Sequence, residues 1–174
     1  MARLPELDLA AEADRIATRL REITLQTLRR RGLVVAISGG IDSSVCAALS
    51  VRALGRERVF GLLLPERDSS GASTRLGRLL VDHLGIDHEL QDISPTLDAI
   101  GCYARQDTVL RRVFPSYRSD WKFKLAISEA MAGRLAVTRL VAEDPGGQRH
   151  EQRLSAPEHL EFVAATNFKQ RIRM

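Results

Sequence analysis

Apolar positions recur at two different periods along this chain, and the period changes where the elements change. Ala13, Ile16, Leu20, Ile23 and Thr27 lie three or four apart, so residues from about Asp8 to Arg31 read as one amphipathic helix. Gly32 is expected to end it, with Arg29, Arg30 and Arg31 at the negative pole of the helix. Leu33-Val34-Val35-Ala36-Ile37 is a continuous apolar run and reads as a buried strand. A helix follows to about Leu54, closed by Gly55. Arg58 to Leu64 reads as a second strand, stopped by Pro65. Residues from about Ser73 to Leu84 form another helix, capped by Gly85, and Asp87 to Leu90 a short third strand. Strands alternating with helices predict a parallel α/β sheet. Right-handed crossovers put the loops after the first and second strands at one edge of it, where such sheets bind ligands.

The second half is more helical. Ser94-Pro95 starts a helix, because proline suits the first turn. Arg105 to Val113 reads as another, broken before Pro115, and Trp121 to Met131 as a third, with Trp121 and Phe123 packed on the core. Leu135 to Val141 alternates imperfectly, meets the turn Asp144-Pro145-Gly146-Gly147, and is followed by the polar stretch Gln148 to Leu154. This pattern predicts a β-hairpin. Ser155 and Glu158 match a capping box that opens a last helix, running with a break near Asn167 to Met174. The 174 residues read as a single domain.

One turn carries candidate chemistry. Ser38-Gly39-Gly40-Ile41-Asp42-Ser43-Ser44 joins the first strand to its helix. Gly39 and Gly40 permit backbone angles and a close approach that a Cβ would block. The first N–H groups of the helix then face an anion, and the helix dipole favours negative charge there. Ser38, Ser43 and Ser44 add hydroxyl donors, and Asp42 adds a carboxylate suited to Mg²⁺. The bland alternative is a tight turn with Asp42 or Ser43 as an N-cap. No Gly-Lys-Ser/Thr follows, and the spacing is not that of the dinucleotide fingerprint.

Composition narrows the setting but not the reaction. Hydrophobic residues make up 44% and charged residues 28%, ordinary for a soluble globular protein. The net charge is +4, and all but three of the 26 basic residues are arginine. Such a chain suits an anionic nucleotide and equally RNA, so charge alone favours no nucleic acid. No apolar run approaches a membrane span, and the first residues lack an apolar signal core. Cys46 and Cys102 make neither a disulfide framework nor a metal site, and a reducing cytoplasm is expected. Cys46 reads as a small core residue, and His83, His88, His150 and His159 as surface histidines.

The turn at 38–44 resembles the PP-loop of the ATP pyrophosphatases. Two further stretches resemble the NAD synthetases within that superfamily: Leu64-Pro65-Glu66-Arg67-Asp68-Ser69-Ser70, and Asn167-Phe168-Lys169-Gln170-Arg171-Ile172-Arg173-Met174. Asp92-Ile93 is similar as well. On a helix Lys169 and Arg173 share a face, while Arg171 projects about 200° from Lys169. The resemblance implies a three-layer nucleotide α-hydrolase fold. It implies ATP binding by Ala36, Ile37, Ser38, Gly39, Gly40, Ile41, Asp42, Ser43, Ser44 and Leu64, with Asp42 also as the Mg²⁺ ligand. Asp42 and Ser38 become the candidate catalytic residues, and Arg171 and Lys169 the candidate contacts to deamido-NAD.

The implied reaction is adenylation of the carboxylate of deamido-NAD by ATP, then displacement of AMP by ammonia to give NAD, AMP and pyrophosphate. Ammonia is expected free or from a separate glutaminase, and a homodimer is expected. The family's second ATP/Mg²⁺ segment, built around a Gly-Thr and a glutamate, has no counterpart up to Met174, so a fragment is expected, with poor turnover by itself. The rival readings are another PP-loop adenylating ligase, acting on a different carboxylate or on tRNA, and a truncated, non-catalytic nucleotide-binding homologue.

Overall fold

Asp8 opens the first helix, its carboxylate accepting the N–H groups of Ala10 at 3.0 Å and Ala11 at 3.1 Å. The computed structural model describes residues 8–127 and 138–172. They divide into two compact units, one up to Ile93 and the other from Ser94.

In the first unit α1 spans Leu9–Glu22 and passes into a π-helical turn, Ile23–Thr27. The predicted helix to Arg31 is therefore shortened. The N–H of Leu28 donates to the Ile23 carbonyl, five residues back, which rotates the register and buries Thr24 instead of Thr27. Arg29, not Gly32, takes the left-handed conformation, with φ 52°. Gly32 serves another need: a Cβ there would fall on the Arg58 carbonyl.

The parallel sheet forms as predicted, in the order β1 (Leu33–Ala36), β2 (Val59–Leu63), β3 (Asp87–Leu90). Leu33 pairs with Val59, and Phe60 with Asp87. The connecting helices are α2 (Ile41–Leu54) and α3 (Gly71–Leu84), closed by Gly55 and by a left-handed Gly85. Ile37, Val59 and Leu63 from the sheet pack with Ala47 of α2 and Val81 of α3, so both helices cover one face, and α1 lies on α2. The expectation of a fully buried first strand fails at Val34, which is 67% exposed. It points to the other face, on a strand with one neighbour in this sheet.

The second unit starts with α4 (Ser94–Ala99) and α5 (Cys102–Val113), close to expectation. The predicted helix from Trp121 to Met131 is instead a strand, β4 (Lys122–Ile127); residues 128–137 lie outside the described ones. The reason is period two: Lys122 and Lys124 are exposed while Phe123 and Leu125 pack inward. β4 pairs antiparallel with β5 (Thr138–Glu143), which pairs with β6 (Arg149–Arg153), so the expected hairpin is present with a third strand added. Val109, Leu110, Phe114, Trp121, Leu140 and Phe162 form its core. No helix of the described residues is long and apolar enough to cross a membrane.

The capping box forms at the start of α6 (Ala156–Ile172), which continues through Asn167 without the expected break. The Ser155 hydroxyl and N–H donate to the Glu158 carboxylate at 2.6 and 2.8 Å, and the Glu158 N–H approaches the Ser155 hydroxyl at 3.5 Å. These bonds, the hydroxyl's first, hold the Glu158 carboxyl below the usual carboxylate range. A lowered folded-state value contributes stability above the unfolded value and loses it as pH falls through the folded one. Glu158→Gln is expected to flatten the acid limb of stability, read as a smaller drop in urea midpoint between neutral and acidic pH.

Two side-chain expectations are corrected. Cys46 is exposed, because α2 turns Ala47, Ser50 and Ala53 inward, and Cys102, at the start of α5, is buried. His150 is a packing residue, half-buried, stacked on Trp121 at 4.6 Å and 3.3 Å from the Asp144 carboxylate. Nδ1 of His159 is likewise buried.

Candidate functional site

The chain leaves the sheet at Ile37. Its N–H donates to the Leu62 carbonyl at 2.8 Å and its side chain is buried in the core, so only its backbone faces the turn beyond. Ala36 ends β1 on the exposed side. Gly39 has φ +77°, and a Cβ there would fall on the Ser73 carbonyl. The turn after β1 thus lies against the first turn of α3, which places the loops after β1 and β2 together at one sheet edge, as the crossover argument predicts. Ser70 caps α3 by accepting the Ser73 N–H at 3.1 Å.

Gly40 is the N-cap of α2, with extended backbone (φ −89°, ψ 163°), and no side chain caps that helix. Neither Asp42 nor Ser43 takes the N-cap role. Both lie inside the first turn, and the N–H groups of Ile41, Asp42 and Ser43 make no hydrogen bond among the described residues. An exposed helix start without a cap leaves donors and the positive end of the dipole to an anion.

The serine hydroxyls, expected as added donors, are engaged within the turn itself. Ser43 Oγ and Ser44 Oγ donate to the Gly40 carbonyl at 3.0 and 2.9 Å. The Ser38 N–H donates to Ser43 Oγ at 3.2 Å, and the Gly40 N–H donates to Ser38 Oγ at 3.3 Å. The hydroxyls of Ser38 and Ser43 are 3.1 Å apart. This network holds the backbone open and leaves the N–H groups for a ligand.

Asp42 is exposed in the first turn, where a negative charge is favoured. Among the described residues no group of three or more His, Cys, Asp or Glu is arranged to hold a metal. A single carboxylate fits Mg²⁺, which keeps several waters and takes phosphate oxygens as its other ligands.

Leu64 is half-buried at the end of β2. The loop beyond it holds a residue that sequence reasoning passed over. Glu66 is 7% exposed; its carboxylate accepts the Asp68 N–H at 3.1 Å, and its own N–H donates to Ser69 Oγ at 3.0 Å. A glutamate after a proline carries no signal of burial, so only the fold identifies it. Lys169 and Arg171 belong to α6 of the second unit, and their side chains lie outside the described residues.

A family model described as NAD synthase matches residues 13–143, which take in the turn, the whole parallel sheet and β5. The chain belongs to the NAD synthase family. It is similar to the "NH(3)-dependent NAD(+) synthetase" of Mesorhizobium japonicum, 52% identical over 96% of this chain and 53% of that protein. It is 48% identical to the enzyme of that name from Rhizobium meliloti, over 97% and 50% of the two chains. Among solved structures, the NH3-dependent NAD synthetase from Campylobacter jejuni, in complex with the nitrate ion, is 27% identical with TM-score 0.51, covering 60% of this chain and 50% of that one. The chain spans about half the length of these NAD synthetases.

Proposed function

We propose that this chain binds ATP through the turn at 38–44 and serves an ammonia-dependent NAD synthetase reaction. The carrying observation is the uncapped start of α2 beside a left-handed Gly39, in a chain of the NAD synthase family. The free N–H groups of Ile41, Asp42 and Ser43 would take phosphate oxygens of ATP, and Leu64, across the sheet edge, would border the nucleotide. Asp42 would hold Mg²⁺, which supplies charge neutralisation at the triphosphate when bound. A carboxylate oxygen of deamido-NAD attacks the α-phosphorus of ATP and pyrophosphate leaves. Ammonia then adds to the acyl carbon, AMP departs with the C–O electron pair, a proton is lost, and the amide of NAD remains. Lys169 and Arg171 on α6 would meet the anionic groups of deamido-NAD.

In this scheme no side chain acts as a nucleophile. Backbone donors, Ser38 as the brace of the turn, and the charge at Asp42 do the positioning. Ammonia would arrive free or from a separate glutaminase, and the working form would be a homodimer.

Calorimetry and thermal unfolding test the reading. ATP with Mg²⁺ at a hundred times its Kd is expected to stabilise the chain by about 2.7 kcal/mol. With ammonium present, AMP release should depend on deamido-NAD. No response to Mg-ATP would remove the nucleotide assignment, and AMP release driven by tRNA instead would transfer the chain to another PP-loop ligase.

A further inference from the structure

The outer face of the β4–β5–β6 sheet gathers charge that the nucleotide turn does not use. Side chains alternate across each strand. Phe123, Leu125, Leu140 and Ala142 enter the core, so the register places Lys122, Lys124, Arg139, Arg149 and Arg153 together on the opposite face, with Glu143, Val141 and Glu151. Two of the three lysines of the whole chain are in this group. Arg139 donates to Glu151 at 2.8 Å. Lys122, Lys124, Arg149 and Arg153 make no ion pair among the described residues. Lys122, Lys124, Glu143 and Arg149 rim a shallow cleft of about 160 Å³ over Phe123, Val141 and Ala142.

Charges on β4 and β6 would by themselves suit two edge strands, because they discourage pairing with other chains. Arg139 does not fit that explanation. It lies on the central strand and stands directly opposite Arg153, a like-charge pair that costs stability. Glu151 compensates Arg139, and Arg153 is left to an anion from outside the chain.

We propose that this face docks the phosphate backbone of a duplex nucleic acid, without reading bases. The four unpaired cations against Glu143 leave a net charge of about +3. By register, no aromatic and no amide residue stands on this face, and Phe123, at the cleft, packs against the core, so stacking and base-edge recognition are not provided for. Three strands, paired over about five residues, span about 14 by 17 Å. A duplex presents about ten charges over 17 Å, a density that few acidic protein surfaces match. Net charge along the sequence favoured no such partner; the fold does, by bringing these cations onto one surface.

The test is fluorescence anisotropy with a short labelled DNA duplex of mixed sequence, and a second of unrelated sequence, from about 50 to 200 mM salt. Four neutralised phosphates predict a slope of log K against log salt of about −3.6 and a loss of about 10²-fold over that range, equal for both duplexes. The double variant Lys122→Ala, Lys124→Ala is expected to halve the slope, with a loss of only about tenfold. Both residues are exposed, so circular dichroism should show the fold retained. A triple alanine variant at Arg29, Arg30 and Arg31, the other basic run, is expected to bind as the unaltered chain does.

The proposal is overturned by any of four results: no binding at low salt, an unchanged slope in the lysine variant, loss of binding in the arginine variant, or displacement of the duplex by poly-L-glutamate at equal charge concentration. ATP and deamido-NAD are absent from this experiment, so its failure leaves the nucleotide reading untouched.

Discussion

Replacing Gly39 by alanine is expected to abolish Mg-ATP binding and to lower stability by about 2–4 kcal/mol. Two effects add. At φ +77° any Cβ meets the local strain of the left-handed region, about 1–2 kcal/mol. The new Cβ also falls on the Ser73 carbonyl, which is backbone and cannot rotate aside as a side-chain tip does. The first turn of α3 must then move from the turn at 38–44, and the donors at 41–43 lose their setting. Gly101 supplies the control, since it has φ +75° with nothing near its missing Cβ. Gly101→Ala should therefore show the strain alone, about 1–2 kcal/mol, and leave ATP binding intact. Urea unfolding and calorimetry on both variants check this. Equal losses of stability in the two would mean that the approach of Gly39 to α3 does not hold the site.

Asp42→Asn should leave the fold nearly unchanged and reduce ATP-dependent AMP formation by about 10²–10³-fold, the usual effect of losing one group that stabilises developing charge. Asp42 is exposed, and no ion pair among the described residues depends on it. Its replacement costs the helix only the attraction between a carboxylate and the N-terminal dipole, about 0.3–1 kcal/mol. Binding of ATP should lose its dependence on Mg²⁺ while weak metal-free binding at the backbone N–H groups persists. Titrations with and without the metal separate the two contributions. AMP formation within a few-fold of the unaltered protein would show that the metal is held elsewhere.

The contrast between the two variants follows from their place in the structure. Gly39 acts through backbone geometry, so its loss registers in stability and binding together. Asp42 acts through charge at an exposed position, so its loss registers in binding and chemistry alone.

Much of the first unit was legible from residue order. Its helices and strands follow local period and are punctuated by Gly55, Pro65 and Gly85, and each of these signals lies one or two residues past the element it ends. The Ser155–Glu158 box was equally readable, because both partners sit within one helical turn. The turn at 38–44 was legible for the same reason: two glycines, flanked by an apolar run and a helix start, specify a bend locally.

Tertiary structure decided whatever depends on a distant partner. Lys122–Ile127 is short and apolar enough to be helix or strand; pairing with β5, which satisfies its backbone groups, makes it a strand. Burial of Glu66 and Cys102, exposure of Cys46 and stacking of His150 on Trp121 follow from which face meets a neighbour, which residue order does not encode. The same holds at the site. Sequence alone specified a glycine bend with donors after it. The apposition of Gly39 to Ser73, 34 positions on, and the use of the serine hydroxyls to brace the turn required the folded sheet to bring two crossovers to one edge.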